Sequence, residues 1–308
     1  MTRRWLFAVA LASVTASTAS FAQQPAIETP SLMTTPVWLL NGNHAVSQGT
    51  GFFYATLKPD GTPRTVFLVT NYHVVTGHEP GTPGRDGDKL FVLLHSSHED
   101  PSLVAQVQVP LYSQANEPLW ASSMDTPDAD VVLLPVSPKL YAGSSLIVFS
   151  ESHTLADIKI RPTSEVALVG YPYGFYDVKN SLPIWKTGHI ASEPDVDFEG
   201  KPVFLADISA FPGMSGSPLL AVVNGISSIQ SGQMPVKLLG IFSAMRVFKE
   251  KKTDLSGYTP DLPDTSLQLG YVWKARVIVE IAKLYDLRQG EATNGGMGKR
   301  GNALRSYK

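Results

Sequence analysis

At 308 residues the chain is long enough for one large domain or two small ones, with a sizeable core. Its 43% hydrophobic and 17% charged residues exclude wholesale disorder, and a net charge of −2 carries no basic excess directed at nucleic acid. There is no cysteine, which excludes a disulfide framework, a thiol nucleophile and a cysteine-ligated zinc site.

Residues 1–22 read as a secretory signal peptide. A basic "MTRR" is followed by the apolar "WLFAVALA", and small residues Ser20 and Ala22 mark a cut after Ala22. Ser13, Thr15 and Ser17 interrupt the apolar run before the ~20 residues of a membrane span, so no anchor is expected after cleavage. The implied address is the bacterial periplasm or the medium. Residues 23–35 ("QQPAIETPSLMTT") read as a flexible lead-in to a domain over 36–287.

From there to about residue 245 the chain alternates short β-rich runs with turn clusters. The runs include "TGFFYATL", "RTVFLVTNYHVV", "KLFVLL", "VAQVQVPLY", "DVVLLPV", "SEVALVGY", "KPVFLADI", "PLLAVV" and "KLLGIFSAM". Many short strands without alternating helices predict an all-β barrel or sandwich. Two polar, Pro- and Gly-rich stretches, 76–88 and 249–268, are expected on the surface. One helix is predicted over 271–287, where Val277, Ile281 and Leu284 share a face, and the Gly-rich, basic stretch 288–308 reads as a disordered tail.

Three short stretches carry residues of chemical interest. "FPGMSGSPLL" (211–220) sets Ser215 on a glycine-lined turn before a buried strand, where it is a turn serine or a nucleophile. A serine hydroxyl needs a base to take its proton, commonly a histidine, and the histidine needs a carboxylate to fix its tautomer. "LVTNYHVV" places His73 at the end of an apolar run, and "DADVVLLPV" places Asp130 at the mouth of another. A carboxylate buried there needs a partner. Asp128 competes with Asp130, since residues two apart share a strand face, and Ser217 competes with Ser215.

"TNYHVV", "DVVLLPV" and "PGMSGSP", in that order and spacing, resemble the His, Asp and Ser motifs of the trypsin-like (chymotrypsin-fold) serine proteases, nearest the cysteine-free bacterial branch with HtrA-type members. "GTGFFY", "VGYPYG", "PIWKTGHIAS" and "LLGIFSA" resemble further segments of that family, so the likeness spans roughly 45–247. It implies two six-stranded antiparallel β-barrels, at about 36–145 and 160–248, ahead of the helix. It implies Ser215 as nucleophile, His73 as general base and then acid, Asp130 as the group that holds His73, and the N–H groups of Gly213 and Ser215 as an oxyanion hole. Ser209 would form the base of the specificity pocket, with Phe242, Ser243, Ala244 and Met245 along its other wall.

The substrate so implied is a polypeptide, with no cofactor, no metal and no nucleic acid. Met214 stands where the digestive branch carries an aspartate that pairs with a newly cut N-terminus, so the mature chain is expected to be competent as made. The residues after the helix leave no room for the C-terminal peptide-binding domain of HtrA-type proteins. Two other readings use the same residues: a catalytically weak or inactive binding protein on this fold, and an esterase.

Overall fold

The computed structural model describes residues 27–97, 99–142, 146–222, 235–248 and 265–295. Among the described residues, thirteen strands divide into two antiparallel assemblies. In the first half a seven-stranded sheet has the order β5-β4-β1-β2-β3-β7-β6. Its members are β1 (Thr34–Asn41), β2 (His44–Leu57), β3 (Pro63–Thr70), β4 (Lys89–His95), β5 (Val104–Pro110), β6 (Ala121–Ser122) and β7 (Val132–Pro135). In the second half β8 (Glu165–Gly170), β9 (Ile184–Ile190), β10 (Val203–Asp207), β11 (Pro218–Val222), β12 (Val236–Phe248) and β13 (Thr265–Lys274) close a barrel in the order β10-β13-β12-β11-β8-β9. The fold is thus all-β, a closed six-stranded barrel beside a second sheet, consistent with the expected two-barrel architecture, and among the described residues the first half has seven strands rather than six.

Strand β2 shows how one sequence serves two cores. Side chains alternate across a strand, so Phe53 and Ala55 enter the core of the first half while Phe52 and Tyr54 face the layer between the halves. That middle layer joins Phe67, Val69 and Leu133 to Val169, Leu220, Ile241 and Trp273 from the barrel. The barrel interior is a third cluster, with Val166, Leu168, Ile208, Met214, Leu219, Phe242 and Val272. Because both faces of β2, β3 and β8 are covered, these strands read as near-continuous apolar runs rather than alternating ones.

Four helices complete the described chain: α1 (Thr29–Met33), α2 (Tyr72–Thr76), α3 (Glu151–Thr154) and α4 (Ala275–Gly295). Helix α4 lays Val277, Ile278, Ile281 and Ala282 into the middle layer, an i, i+1, i+4, i+5 stripe. Tyr285 adds an edge-to-face contact with Phe67 at 5.2 Å.

Three boundaries depart from the sequence reading. The lead-in is ordered from Thr29 onward, with Leu32 and Met33 buried and Ser31 Oγ accepting from Trp185 Nε1 at 2.8 Å. Apolar side chains next to Pro30 find a surface to cover, which a Pro-rich stretch conceals in one dimension. The predicted helix loses Tyr271–Lys274 to β13, which closes the second barrel well past residue 248. At its other end the helix continues through 288–295, the start of the predicted tail. The signal peptide, most of the 249–268 loop and residues 296–308 lie outside the described residues.

Candidate active site

His73 stands in the first turn of α2, directly after β3. The helix opens at Asn71, which is fully buried and does not cap it; its Nδ2 instead donates to the Asp130 carbonyl at 2.6 Å. The helix closes at Gly77, whose left-handed backbone (φ 82°) lets its N–H reach the His73 carbonyl at 2.9 Å. Both ends of this one-and-a-half-turn helix therefore serve to hold a single imidazole.

Asp130 is 4% exposed, between the turn at 126–129 and β7. Its carboxylate accepts three hydrogen bonds. Oδ2 accepts from His73 Nδ1 at 2.7 Å, Oδ1 from the His73 backbone N–H at 3.0 Å, and Oδ2 also from Ser243 Oγ. Burial alone would push this carboxyl up. The bonds and charge of His73, with the Ser243 hydroxyl, outweigh it and hold the group below the usual aspartate value. The partner responds in the complementary sense. Burial pushes His73 down, but the Asp130 hydrogen bond and charge, with a smaller contribution from Glu79, raise it above the ordinary 6.5. Asp128, the competing carboxylate, is half exposed and pairs with Lys201.

Ser215 comes from the other half, on a turn pinned at each step. Met214 N–H donates to Phe211 O at 3.0 Å, Ser217 N–H to Met214 O at 3.0 Å, and Gly216 N–H to Phe242 O at 2.9 Å. The Met214 side chain, fully buried, anchors the turn in the barrel core. Gly213 has φ 92°, and a Cβ there would meet the Tyr171 carbonyl at 2.6 Å, so no other residue fits. Among the described residues, the N–H groups of Gly213 and Ser215 find no acceptor, while those of Met214, Gly216 and Ser217 are all bonded. The Ser215 hydroxyl donates to the Ser243 carbonyl at 2.9 Å.

His73, Asp130 and Ser215 are therefore gathered where the halves join, through Ser243. Its carbonyl receives Ser215 and its hydroxyl donates to Asp130. In this arrangement no hydrogen bond runs between Ser215 Oγ and His73 Nε2. Of the remaining residues singled out in the sequence, Ser209 and Ala244 are exposed and Met245 is half-buried. The Phe242 ring is 2% exposed within the barrel core, and a Cβ on Gly270 would stand 2.5 Å from it. Ser217, the competing serine, is fully buried.

One residue escaped the sequence reading. Thr50, fully buried on β2, accepts the Tyr171 N–H on its Oγ1 at 3.1 Å and donates that hydroxyl to the Gly213 carbonyl at 2.8 Å. The flanking glycines of "GTGFFY" were its available signal, since glycine within a strand marks close approach of another backbone. Among the described residues no group of His, Asp and Glu side chains is arranged to hold a metal ion, and no helix is long and apolar enough to cross a membrane.

A chymotrypsin-like fold with this glycine-lined serine turn in one half and a buried His–Asp pair in the other is that of a serine-type endopeptidase. Residues 49–225, more than half of the chain, match the trypsin-like peptidase domain, and the chain belongs to that family. Curated proteins gave no match. Among solved structures the chain is similar to the serine endoprotease from Yersinia pestis, at 14% identity and a TM-score of 0.44, covering 82% of this chain and 62% of that one. It is also similar to the catalytically active tobacco etch virus protease complexed with product, at 14% identity and a TM-score of 0.38, covering 86% and 82%. A third is the inactive form of a serine-to-alanine mutant protein from Mycobacterium tuberculosis, at 18% identity and a TM-score of 0.36, covering 89% and 90%.

Proposed function

We propose that this chain is an exported serine endopeptidase whose nucleophile is Ser215. The supporting observation is the His73–Asp130 pair at 2.7 Å, joined through Ser243 to a serine whose turn leaves two N–H groups free. With a peptide bound, the Ser215 hydroxyl turns from the Ser243 carbonyl towards His73. His73 Nε2 takes its proton as Oγ attacks the scissile carbonyl. Asp130 keeps the proton on Nδ1, which fixes the tautomer with Nε2 as acceptor, and stabilises the imidazolium that forms. The oxygen of the tetrahedral intermediate takes hydrogen bonds from Gly213 and Ser215 N–H. His73 then gives its proton to the leaving amine, and a water deprotonated by His73 hydrolyses the acyl-enzyme, restoring Ser215.

Export rests on the leader sequence, with cleavage after Ala22 and a periplasmic or extracellular destination. Two assays test the catalytic reading. A fluorophosphonate probe should add one mass equivalent at Ser215 and none to Ser215→Ala, and the wild-type chain should hydrolyse casein. Labelling without casein turnover, with brisk hydrolysis of short esters, would make it an esterase. An unlabelled Ser215 favours the inactive binding protein, the reading to which the Ser215–Ser243 bond lends support.

A further inference from the structure

Among the described residues, the exposed aromatic rings are Tyr173 (64%), Phe175 (68%) and Phe211 (44%), and they belong to two turns that touch through the Tyr173 N–H and the Pro212 carbonyl. Tyr173 and Phe211 stand 5.9 Å apart between ring centroids. Phe175 belongs to the same tight turn as Tyr173, its N–H donating to Pro172 O at 2.7 Å. The Lys186 ammonium lies 5.0 Å from the Phe211 ring centre. Single exposed apolar side chains are ordinary, but a cluster of rings is not.

The backbone beneath them is unusual too. Tyr173 has φ 51°, in the left-handed region that bulky residues avoid. It is held there by its N–H, which donates to the Pro212 carbonyl at 2.6 Å. Pro212 precedes Gly213, and a Cβ on Gly213 would stand 3.0 Å from the Tyr173 nitrogen. The turn that displays Tyr173 and Phe175 is therefore in direct contact with the turn that carries Phe211 and whose free N–H groups would receive the substrate oxygen. The strain does not serve the core, because the ring it positions faces water.

We propose that Tyr173, Phe175 and Phe211 form an apolar platform that receives an aromatic or large aliphatic side chain of the polypeptide substrate, close to the scissile bond. This rests on the endopeptidase reading. A substrate carbonyl at Gly213 places the neighbouring residues of an extended chain, at about 3.3–3.6 Å each, against this surface. Aromatic rings suit the task, offering large contact area with little rotamer freedom to lose and favouring offset or edge-to-face partners.

The test uses the Ser215→Ala chain, so that binding is read without turnover. Dye-labelled decapeptides with a single Phe walked through an Ala/Ser background are titrated by anisotropy. At one position Phe should bind about tenfold more tightly than Ala. Phe211→Ala, and Tyr173→Asn, which keeps a residue tolerant of the left-handed backbone, should each remove most of that gain while the Phe-free peptide binds unchanged. No Phe gain at any position, or a gain that survives both substitutions, overturns the platform. So does a dimer abolished by Phe211→Ala with peptide affinity unaltered, which would assign the rings to self-association. Casein hydrolysis by the wild-type chain decides the endopeptidase reading separately, so retained hydrolysis without a Phe gain sinks the platform alone.

Discussion

The backbone N–H of Thr50 donates to the carbonyl of Ser215 at 2.8 Å, which ties the serine turn of the second half to a strand of the first. The Thr50 hydroxyl extends this tie to Gly213 O and Tyr171 N–H, and the Thr70 hydroxyl closes it by donating to Thr50 O at 2.7 Å. Thr50→Val keeps the volume but leaves two buried backbone groups unpaired. At roughly 1–3 kcal/mol for each orphaned group, the expected loss of stability is about 2–6 kcal/mol. Activity should fall more than unfolding accounts for, because Gly213 loses the contact that sets its orientation. Thr50→Ser should restore both. Denaturant unfolding and kcat/KM on the same preparations check this, and an unaltered Thr50→Val chain would refute it.

Ser215→Ala, His73→Ala and Asp130→Asn should each remove most hydrolysis, and the losses should not add, since the three groups act as one unit. For the aspartate change a fall of about 10⁴ in kcat is expected, because asparagine stabilises the wrong tautomer. Asp128→Asn is the control: that carboxylate is half exposed and paired with Lys201, so its loss should leave kcat/KM unchanged. Reversed effects at the two aspartates would place the carboxylate of the site at 128.

The strand runs of the barrels are legible in the sequence because Val, Phe and Leu cluster between Gly, Pro and Asp turns. Strand β13 is not, for a specific reason. It passes from Lys274 into Ala275 of α4 with no turn residue between, so nothing in the sequence marks where the strand ends and the helix begins. Strand β1 is hidden by Pro36, a residue that argues against a strand in one dimension. In three dimensions its ladder with β4 begins only at Val37, and the missing N–H costs nothing there. Within the candidate site, His73, Asp130 and Ser215 can be picked out because His73 ends an apolar run while Asp130 and Ser215 each precede one, and because the three motifs fall in the order that the family resemblance requires. Thr50 and the bond from Ser243 to Asp130 are not, since each joins segments more than 100 residues apart.

The pH profile follows from His73. Catalysis requires the neutral imidazole, so kcat/KM should rise with pH and level off above the His73 pKa. Asp130 raises that pKa, which places the midpoint above 6.5. Stability carries the opposite sign. A histidine whose folded-state pKa is raised contributes stability that is full below its unfolded value, and loses it as pH rises through the folded value. Asp130, held low, contributes above its unfolded value and loses that as pH falls through the folded one. In Asp130→Asn the residual activity should titrate at lower pH, since the charge and carboxylate bond that raise His73 are gone. A midpoint below 6.5 in the wild type, or one unmoved by the substitution, would contradict the pairing.

Specificity for the residue before the cleaved bond is the last expectation. By family likeness that side chain enters between the approach to Ser215 and strand β12. Ser209 offers a hydroxyl there and Phe242 no charge, and Ala244 and Met245 are uncharged too. The structure moves the Phe242 ring into the barrel core, against Gly270 and among Ile208, Met214 and Val272. Its contribution is then bulk from behind the wall, which limits how deep a side chain can pass. An arginine, lysine or glutamate entering this space would give up water without gaining an ion pair, at a cost of several kcal/mol for a charge that is fully desolvated. Small to medium apolar residues lose nothing comparable and gain about 25 cal/mol for each Å² they bury. The preference should therefore fall on uncharged residues of that size. Phe242→Ala should extend it to larger side chains, with a loss of stability of about 3–5 kcal/mol from the cavity left in the core. A peptide-library cleavage profile reads both effects, and dominant cutting after Arg, Lys or Glu would show that another part of the chain sets the choice.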